Sequence, residues 1–344
     1  MTLCPSRLTP TLVGHQAQRS WLQDAFARGR LPHGLLLEGP KGIGKATFAY
    51  HVARGLLAHT GGPLSLEMEA SNPLFRRVGA GAEAGLFVME RKADRDGKMP
   101  RDLSIETSRA LKTFFSRTSL EGGWRVGIID SVDELTPQAA QALLKVLEEP
   151  PEKCLILLIH HGTGHLLATL KSRCQTLLFS PLNEDETRLV LAQQNLSLTQ
   201  NAAQDLSLIL GGSPGLLGAV ASLFNVSFYD DFQKLVRGVA EKGRADVTPF
   251  LDAHFPTKSD DLAMKVDLFS VFLPAWLRFW LVTSYEKTRD FSQRPESHLI
   301  ASRPAPEWTH LWQGLISHFQ EAKRLSFDTR HGLILALERV FNGA

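Results

Sequence analysis

One stretch near the start of the chain constrains the fold more than any other. An apolar run, Gly34-Leu35-Leu36-Leu37, leads into Gly39-Pro40-Lys41-Gly42-Ile43-Gly44-Lys45, and Phe48, Ala49, Val52, Ala53, Leu56 and Leu57 then recur at helical spacing. Strand, glycine loop and helix in that order fill seven of the eight places of the P-loop pattern G-x-x-x-x-G-K-[ST]. Glycines permit a tight wrap whose backbone N–H groups face phosphate, and a helix N-terminus adds its dipole. Gly39, Gly42, Gly44 and Lys45 supply such a cradle. The eighth place, where a hydroxyl would hold magnesium, carries Ala46, and Thr47 stands one residue late. One residue along a helix is a rotation of about 100°, which turns Thr47 away from the metal position. Working, weakened and vestigial nucleotide sites all stay open. ATP or ADP at a degenerate loop that includes Thr47 stays open as a ligand, with weak binding or none expected, and no cofactor is required.

Four further apolar runs read as buried parallel strands: Leu86–Met89, Val126–Ile129, Leu155–Ile159 and Thr176–Phe179. Helical patterns lie between them. Leu103, Ala110, Leu111, Phe114 and Phe115 mark one. Thr136 as N-cap with Pro137 at the first helical position opens another, which Ala140, Leu143, Leu144 and Leu147 line and Pro150-Pro151 stops. This alternation to about residue 180 predicts a parallel α/β domain. After Pro181 strand signals end. Asn183-Glu184-Asp185-Glu186 reads as a capping box, and Gly211-Gly212-Ser213-Pro214-Gly215 splits two later helical stretches. The expected architecture is therefore α/β followed by all-α. An α/β domain spans residues 1–180, a small helical lid domain 181–225, and a helical collar domain 226–344.

The 344-residue length suits two or three domains. A net charge of +2 sets up no global field that would demand nucleic acid. Cys4, Cys154 and Cys174 form neither a disulfide framework nor a metal spacing, which points to a reduced, cytoplasmic compartment. The N-terminal residues lack the long apolar core of a secretory signal. The most apolar later run, Leu268–Trp276, is interrupted by Ser270 and Pro274 and closed by Arg278. It reads as too short and broken for a span of about 20 residues, so no membrane partner is expected.

A P-loop hydrolase needs a carboxylate at the end of a second apolar strand to organise magnesium. Val126-Gly127-Ile128-Ile129-Asp130 provides one. Ser131 follows, and a serine is no general base at neutral pH without help. Asp133 and Glu134 read as a solvated turn ahead of the Thr136 cap. Metal hydroxyl and base are thus both missing, so hydrolysis by this chain alone is not expected.

Two segments carry a resemblance: Ala139-Ala140-Gln141-Ala142-Leu143-Leu144-Lys145-Val146-Leu147-Glu148-Glu149-Pro150-Pro151 and Ser172-Arg173-Cys174. Together with Leu12-Val13-Gly14-His15, Leu31-Pro32-His33-Gly34 and Gly212-Ser213-Pro214-Gly215, they resemble the clamp-loader branch of the AAA+ ATPases in bacterial DNA polymerase III. The resemblance covers about the first 220 residues. It implies a P-loop AAA+ domain, a lid and a collar, in a hetero-pentamer that loads a sliding clamp on primed DNA. It further implies that Arg173 is an arginine finger acting in trans, on ATP held by a neighbouring subunit.

The departures from that branch are as specific. The residue after the acidic strand is usually Glu there, but is Ser131 here. An Arg that senses the γ-phosphate after the Gly-Ser pair is absent, with Pro214, Gly215, Leu216 and Leu217 in that region. The nucleotide-sensing residue at the end of the fourth strand becomes His160-His161. With His165 these would suggest a metal, but no acidic or cysteine partner is near in sequence, so a structural role is expected. No cysteine lies between residues 5 and 153, so the four-Cys zinc module of many relatives is absent.

Arg91, Lys92, Arg95, Lys98 and Arg101 form a basic stretch interspersed with Asp94, Asp96 and Asp102. Arg109, Lys112 and Arg117 share the polar side of the following helix. A grip on the DNA backbone, with Arg109 and Lys112 as contacts, and a solvated helix face both fit. Trp276, Phe279 and Trp280 suit either a helical core or a permanent subunit interface. The rival functional readings are an active AAA+ ATPase, whether a motor subunit or a helicase-like enzyme, a small-molecule phosphotransferase, and an inert scaffold.

Overall fold

The computed structural model describes residues 5–90, 105–116, 123–162, 166–193, 200–286, 294–325 and 329–343. They fall into two compact units. The N-terminal unit holds residues 4–194 and the turn 212–215; the C-terminal unit holds 195–211 and 216–344.

The N-terminal unit is built on a five-stranded parallel sheet. Its strands are β1 (Gly34–Glu38), β2 (Leu86–Glu90), β3 (Arg125–Asp130), β4 (Cys154–His160) and β5 (Gln175–Leu178), in the order β2-β3-β4-β1-β5. All five expected strands are present within a residue or two of their predicted ends. Parallel strands need crossover connections, and helices provide them: α1 (Gln16–Ala27) precedes the sheet, and α2 (Lys45–Leu57), α3 (Pro73–Gly79), α4 (Ile105–Ser116), α5 (Pro137–Glu148) and α6 (Ala168–Lys171) lie between strands. After the sheet comes α7 (Glu184–Ala192).

Side chains alternate across a strand, so each strand feeds two cores. Leu35, Leu37, Val126, Ile128, Leu155, Leu157 and Ile159 pack on one face with Phe48, Val52 and Leu56 of α2. Leu36, Ile129, Ile156 and Leu158 pack on the other with Leu111 and Phe115 of α4 and Leu143, Val146 and Leu147 of α5. Burial on both faces explains why the strands read as unbroken apolar runs. The caps form as expected. Thr136 Oγ1 accepts from the Ala139 amide at 3.2 Å, and Asn183 and Glu186 close a reciprocal capping box at 2.9 Å each way.

The C-terminal unit is helical throughout its described residues: α8 (Gln200–Ile209), α9 (Pro214–Leu223, whose first two residues group with the other unit), α10 (Phe228–Lys242), α11 (Thr248–His254), α12 (Leu262–Glu286), α13 (Pro295–Ala301), α14 (Ala305–Leu325) and α15 (Thr329–Phe341). Its core is aromatic. Phe232 meets Phe272 and Trp276 at 5.2 Å between ring centroids and Phe341 at 5.8 Å, within the range where edge-to-face pairs add to area burial.

The apolar run around Pro274 corrects an expectation. It is not broken: α12 continues through Pro274 for 25 residues, and Leu262–Ser284 is long and apolar enough to cross a membrane by length and composition. Proline removes one ladder hydrogen bond, but Phe272, Leu273, Trp276 and Leu277 around it are fully buried, and Trp312 Nε1 donates to the Pro274 carbonyl at 3.1 Å. Trp276 and Trp280 are therefore core residues.

Candidate functional site

Parallel strands bring their carboxyl ends to one edge of the sheet, where α/β proteins place ligands. Register puts Glu90 opposite Asp130 and Glu38 opposite His160. The glycine loop leaves β1 at this edge, with the Gly39 amide donating to the His160 carbonyl at 3.3 Å. Gly39 adopts φ +158°, and a Cβ there would sit 2.3 Å from the Phe179 carbonyl oxygen. Only glycine fits that approach.

The loop is drawn inward on several sides. Lys45 is 2 % exposed, and its Nζ donates to the carbonyls of Gly39, at 2.5 Å, and Pro40. Burial lowers Lys45 to about 8, with Asp130 and then Asp133 opposing the shift and Lys41 adding to it. His15 Nε2 donates to the Ile43 carbonyl at 2.7 Å, and burial lowers the His15 pKa. The Gly215 amide donates to the Gly42 carbonyl at 2.9 Å. A Cβ on Gly215 would lie 2.8 Å from that oxygen and 3.0 Å from the Gly42 Cα, so Gly215, at the start of α9, rests backbone on backbone against the loop. Ala46 packs its methyl against the core cluster.

The acidic strand end differs from its expected form. Asp130 keeps a third of its side chain accessible; packing around the carboxyl and then Glu90 raise it to about 6, against Lys41 and Lys45. Asp133 is not on a solvated turn: its side chain is 6 % exposed. Its Oδ2 accepts from the Ser131 hydroxyl and the His161 amide, each at 2.8 Å. Burial acts to raise the Asp133 carboxyl, but these two donors outweigh it and the pKa falls below the usual range. The His pair is likewise not remote from acids. His160 Nε2 lies 3.2 Å from Asp133 Oδ1, His160 Nδ1 3.8 Å from Glu38 Oε1, and His161 Nε2 4.0 Å from Asp130 Oδ1. Both corrections have one cause: β3, β4 and β1 are neighbours in the sheet, so residues far apart in sequence end at one edge. Even so, no cluster of three or more His, Cys, Asp or Glu suited to a metal occurs among the described residues. His165 lies outside them.

Arg173 follows α6, with 37 % of its side chain exposed. Its Nη2 pairs with Glu148 Oε1 at 2.8 Å, and its Nη1 donates to the Thr169 carbonyl at 3.1 Å. Two residues earlier, Lys171 Nζ pairs with Glu38 Oε2 at 3.2 Å. The structure thus gathers Gly39, Gly42, Gly44, Lys45, Thr47 and Asp130 around one edge and holds Arg173 by a different set of partners. Of the candidate DNA contacts, Lys112 is exposed on α4. The side chain of Arg109, Arg117, and the stretch from Arg91 to Arg101 lie outside the described residues.

Gly215, His15 and Asp133 were hidden as site residues. Each acts through a contact distant in sequence.

Comparison with known proteins finds relatives of the stretch that carries this site. The profile described as "DNA polymerase III, delta subunit" matches residues 14–183. DNA polymerase III subunit delta′ of Bacillus subtilis is 33 % identical over 198 residues, covering 54 % of this chain and 56 % of the relative. The delta′ subunit of Pseudomonas aeruginosa is 33 % identical over 157 residues, covering 46 % and 45 %. DNA polymerase III subunit gamma/tau of Mycoplasma pneumoniae is 26 % identical over 243 residues, covering 69 % and 34 %. The chain spans about half the length of the curated delta′ relatives it matches. Its parallel sheet carrying the glycine loop, followed by helices, is the AAA+ architecture expected from sequence. Over residues 14–183, the chain is similar to the DNA polymerase III delta-subunit family.

Proposed function

We propose that the chain is a clamp-loader subunit of DNA polymerase III, one of five AAA+ modules that together place a sliding clamp on primed DNA. Its own nucleotide site does not turn over. Arg173 completes the ATP site of the adjacent subunit. The observation that carries this reading is the exposed Arg173 guanidinium on the Ser172-Arg173-Cys174 segment, within the stretch 14–183 that matches the DNA polymerase III delta-subunit profile. Charge develops on the transferred phosphoryl group during hydrolysis, and an arginine supplied from a neighbour stabilises it, worth about 10³–10⁵ in rate.

The idle local site has its own support. Ala46 offers no metal hydroxyl, and Ser131 is committed to Asp133. Pro214, Gly215, Leu216 and Leu217 occupy the region where ATP-hydrolysing relatives carry arginine, and Lys45 is turned onto the loop's carbonyls. ADP or ATP would sit against the Gly42–Lys45 amides, with phosphate drawing Lys45 away from Gly39 and Pro40. A second reading, an active ATPase, draws on the inward carboxylate of Asp133 near the site. Against it, that carboxylate already accepts two hydrogen bonds. ATP turnover decides between them. The isolated chain is expected to show none, and the assembled loader with clamp and primed DNA is expected to lose turnover when Arg173→Ala replaces the native chain. Hydrolysis by the chain alone would establish the second reading.

A further inference from the structure

The trans-acting finger raises a question that its own surroundings answer: what holds a long, half-exposed arginine in one orientation before its target arrives? We propose that Glu148 is a positioning residue for Arg173, fixing the guanidinium in the orientation from which it reaches a neighbour's phosphate. The inference rests on the trans-acting reading of Arg173 given above.

Two anchors meet two different nitrogens of one planar group. Glu148 Oε1 takes Nη2 at 2.8 Å, and the Thr169 carbonyl takes Nη1 at 3.1 Å. Held at both points, the plane of the guanidinium is set as well as its position. Arginine has five N–H donors; the anchors use two, and the others stay available for an oxyanion. Arginine also carries one of the largest side-chain entropies, so a finger left free would have to be ordered at the moment of reaction.

The anchor itself is rigid. Glu148 is the last residue of α5. Thr136 caps that helix at the far end, Leu143, Val146 and Leu147 sit in the core, and Pro150-Pro151 follows after Glu149. On the other side, the Lys171–Glu38 pair ties the segment that carries Arg173 to the end of β1. Thr169 lies in the one-turn helix between them. The Glu148 side chain is 47 % exposed. A pair that open contributes little to folding, so stability does not account for its geometry.

The test is a double-mutant cycle in the assembled loader, with clamp, primed DNA and saturating ATP. Glu148→Ala is expected to lower kcat about three- to tenfold with KM for ATP unchanged, the loss expected from unfixing one long side chain. Glu148→Gln keeps an acceptor oxygen at the same reach and should recover most of the rate. Glu148→Asp keeps the charge but shortens the reach and should behave like Ala. In an Arg173→Ala background, Glu148→Ala should change kcat less than about twofold, because the residue it orients is gone. The melting temperature of the isolated chain should stay within about 2 °C. Equal losses in both Arg173 backgrounds, or no loss with Arg173 intact, would overturn the inference while leaving the trans-acting role in place. If Arg173→Ala alone leaves turnover unchanged, the functional reading fails first and this inference goes with it.

Discussion

Lys45 and Arg173 are both cations of the N-terminal unit, and they sit in opposite surroundings. Lys45 is 2 % exposed and bonded to the backbone of its own loop. Arg173 is 37 % exposed and bonded to a carboxylate that is itself half exposed. A buried ammonium costs folding energy and lowers its own pKa to reduce that cost, as the shift to about 8 records. An exposed guanidinium on a solvated partner exchanges partners at little cost. The cradle is satisfied from within, and the arginine is held but open to outside oxyanions. In this molecule the intact-looking motif is the self-contained one, and the less conspicuous arginine faces outward.

The comparison breaks most visibly at Arg173. Arg173→Ala should cut ATP turnover by the assembled loader about 100-fold or more, with the assembly intact by size-exclusion chromatography. Next comes the loop's backbone fit. Gly39→Val would drive a Cβ to 2.3 Å from the Phe179 carbonyl oxygen, and urea unfolding should show a loss of about 2–4 kcal/mol. The same substitution's effect on loader turnover, where the fold survives, should be far smaller than that of Arg173→Ala.

The charge state of the cradle gives two opposite pH signatures. Lys45 has a folded pKa near 8, below its unfolded value, so the native chain sheds a proton first and gains stability as pH rises from about 8 towards 10.4. Lys45→Met should therefore stabilise the protein at pH 7 by about 1–2 kcal/mol, with the gain shrinking above pH 8. Asp130 has a folded pKa near 6, above its unfolded value, so the native chain keeps a proton longer and loses stability as pH rises from about 4 to 6. Asp130→Asn should stabilise by about 1 kcal/mol at pH 7, reduced because a third of the side chain meets solvent, and by little at pH 4. Chemical denaturation at three pH values checks both. A pH-independent Lys45→Met effect would mean that the lysine is not buried as a charge.

The smallest effect concerns DNA. Charge reversal of Arg109 and Lys112 together should lower the slope of log affinity against log salt for primed DNA by about 2 if both meet phosphate. An unchanged slope would leave α4 as a solvated face.

The sheet, its helices and both cap motifs were legible because they are local: apolar runs, a Thr-Pro start, an Asn-x-x-Glu box. The glycine loop and Arg173 were legible for the same reason. What escaped was set by strand order. Asp133 reads as a turn residue until β3 and β4 lie side by side and the His161 amide reaches it. His160 looks partnerless until β1 brings Glu38 alongside. Glu148 looks like the end of a helix until α6 delivers Arg173 to it. Pro274 looks like a break because local propensity omits the buried aromatics that keep α12 continuous.

The most direct test sets the two cations against each other. Lys45→Ala and Arg173→Ala chains would each be assembled into the loader, and ATP turnover measured with clamp and primed DNA. The predicted result is near-native turnover for Lys45→Ala and a loss of about two orders of magnitude or more for Arg173→Ala. Equal losses, or a larger loss at Lys45, would contradict the account and return catalysis to the chain's own P-loop.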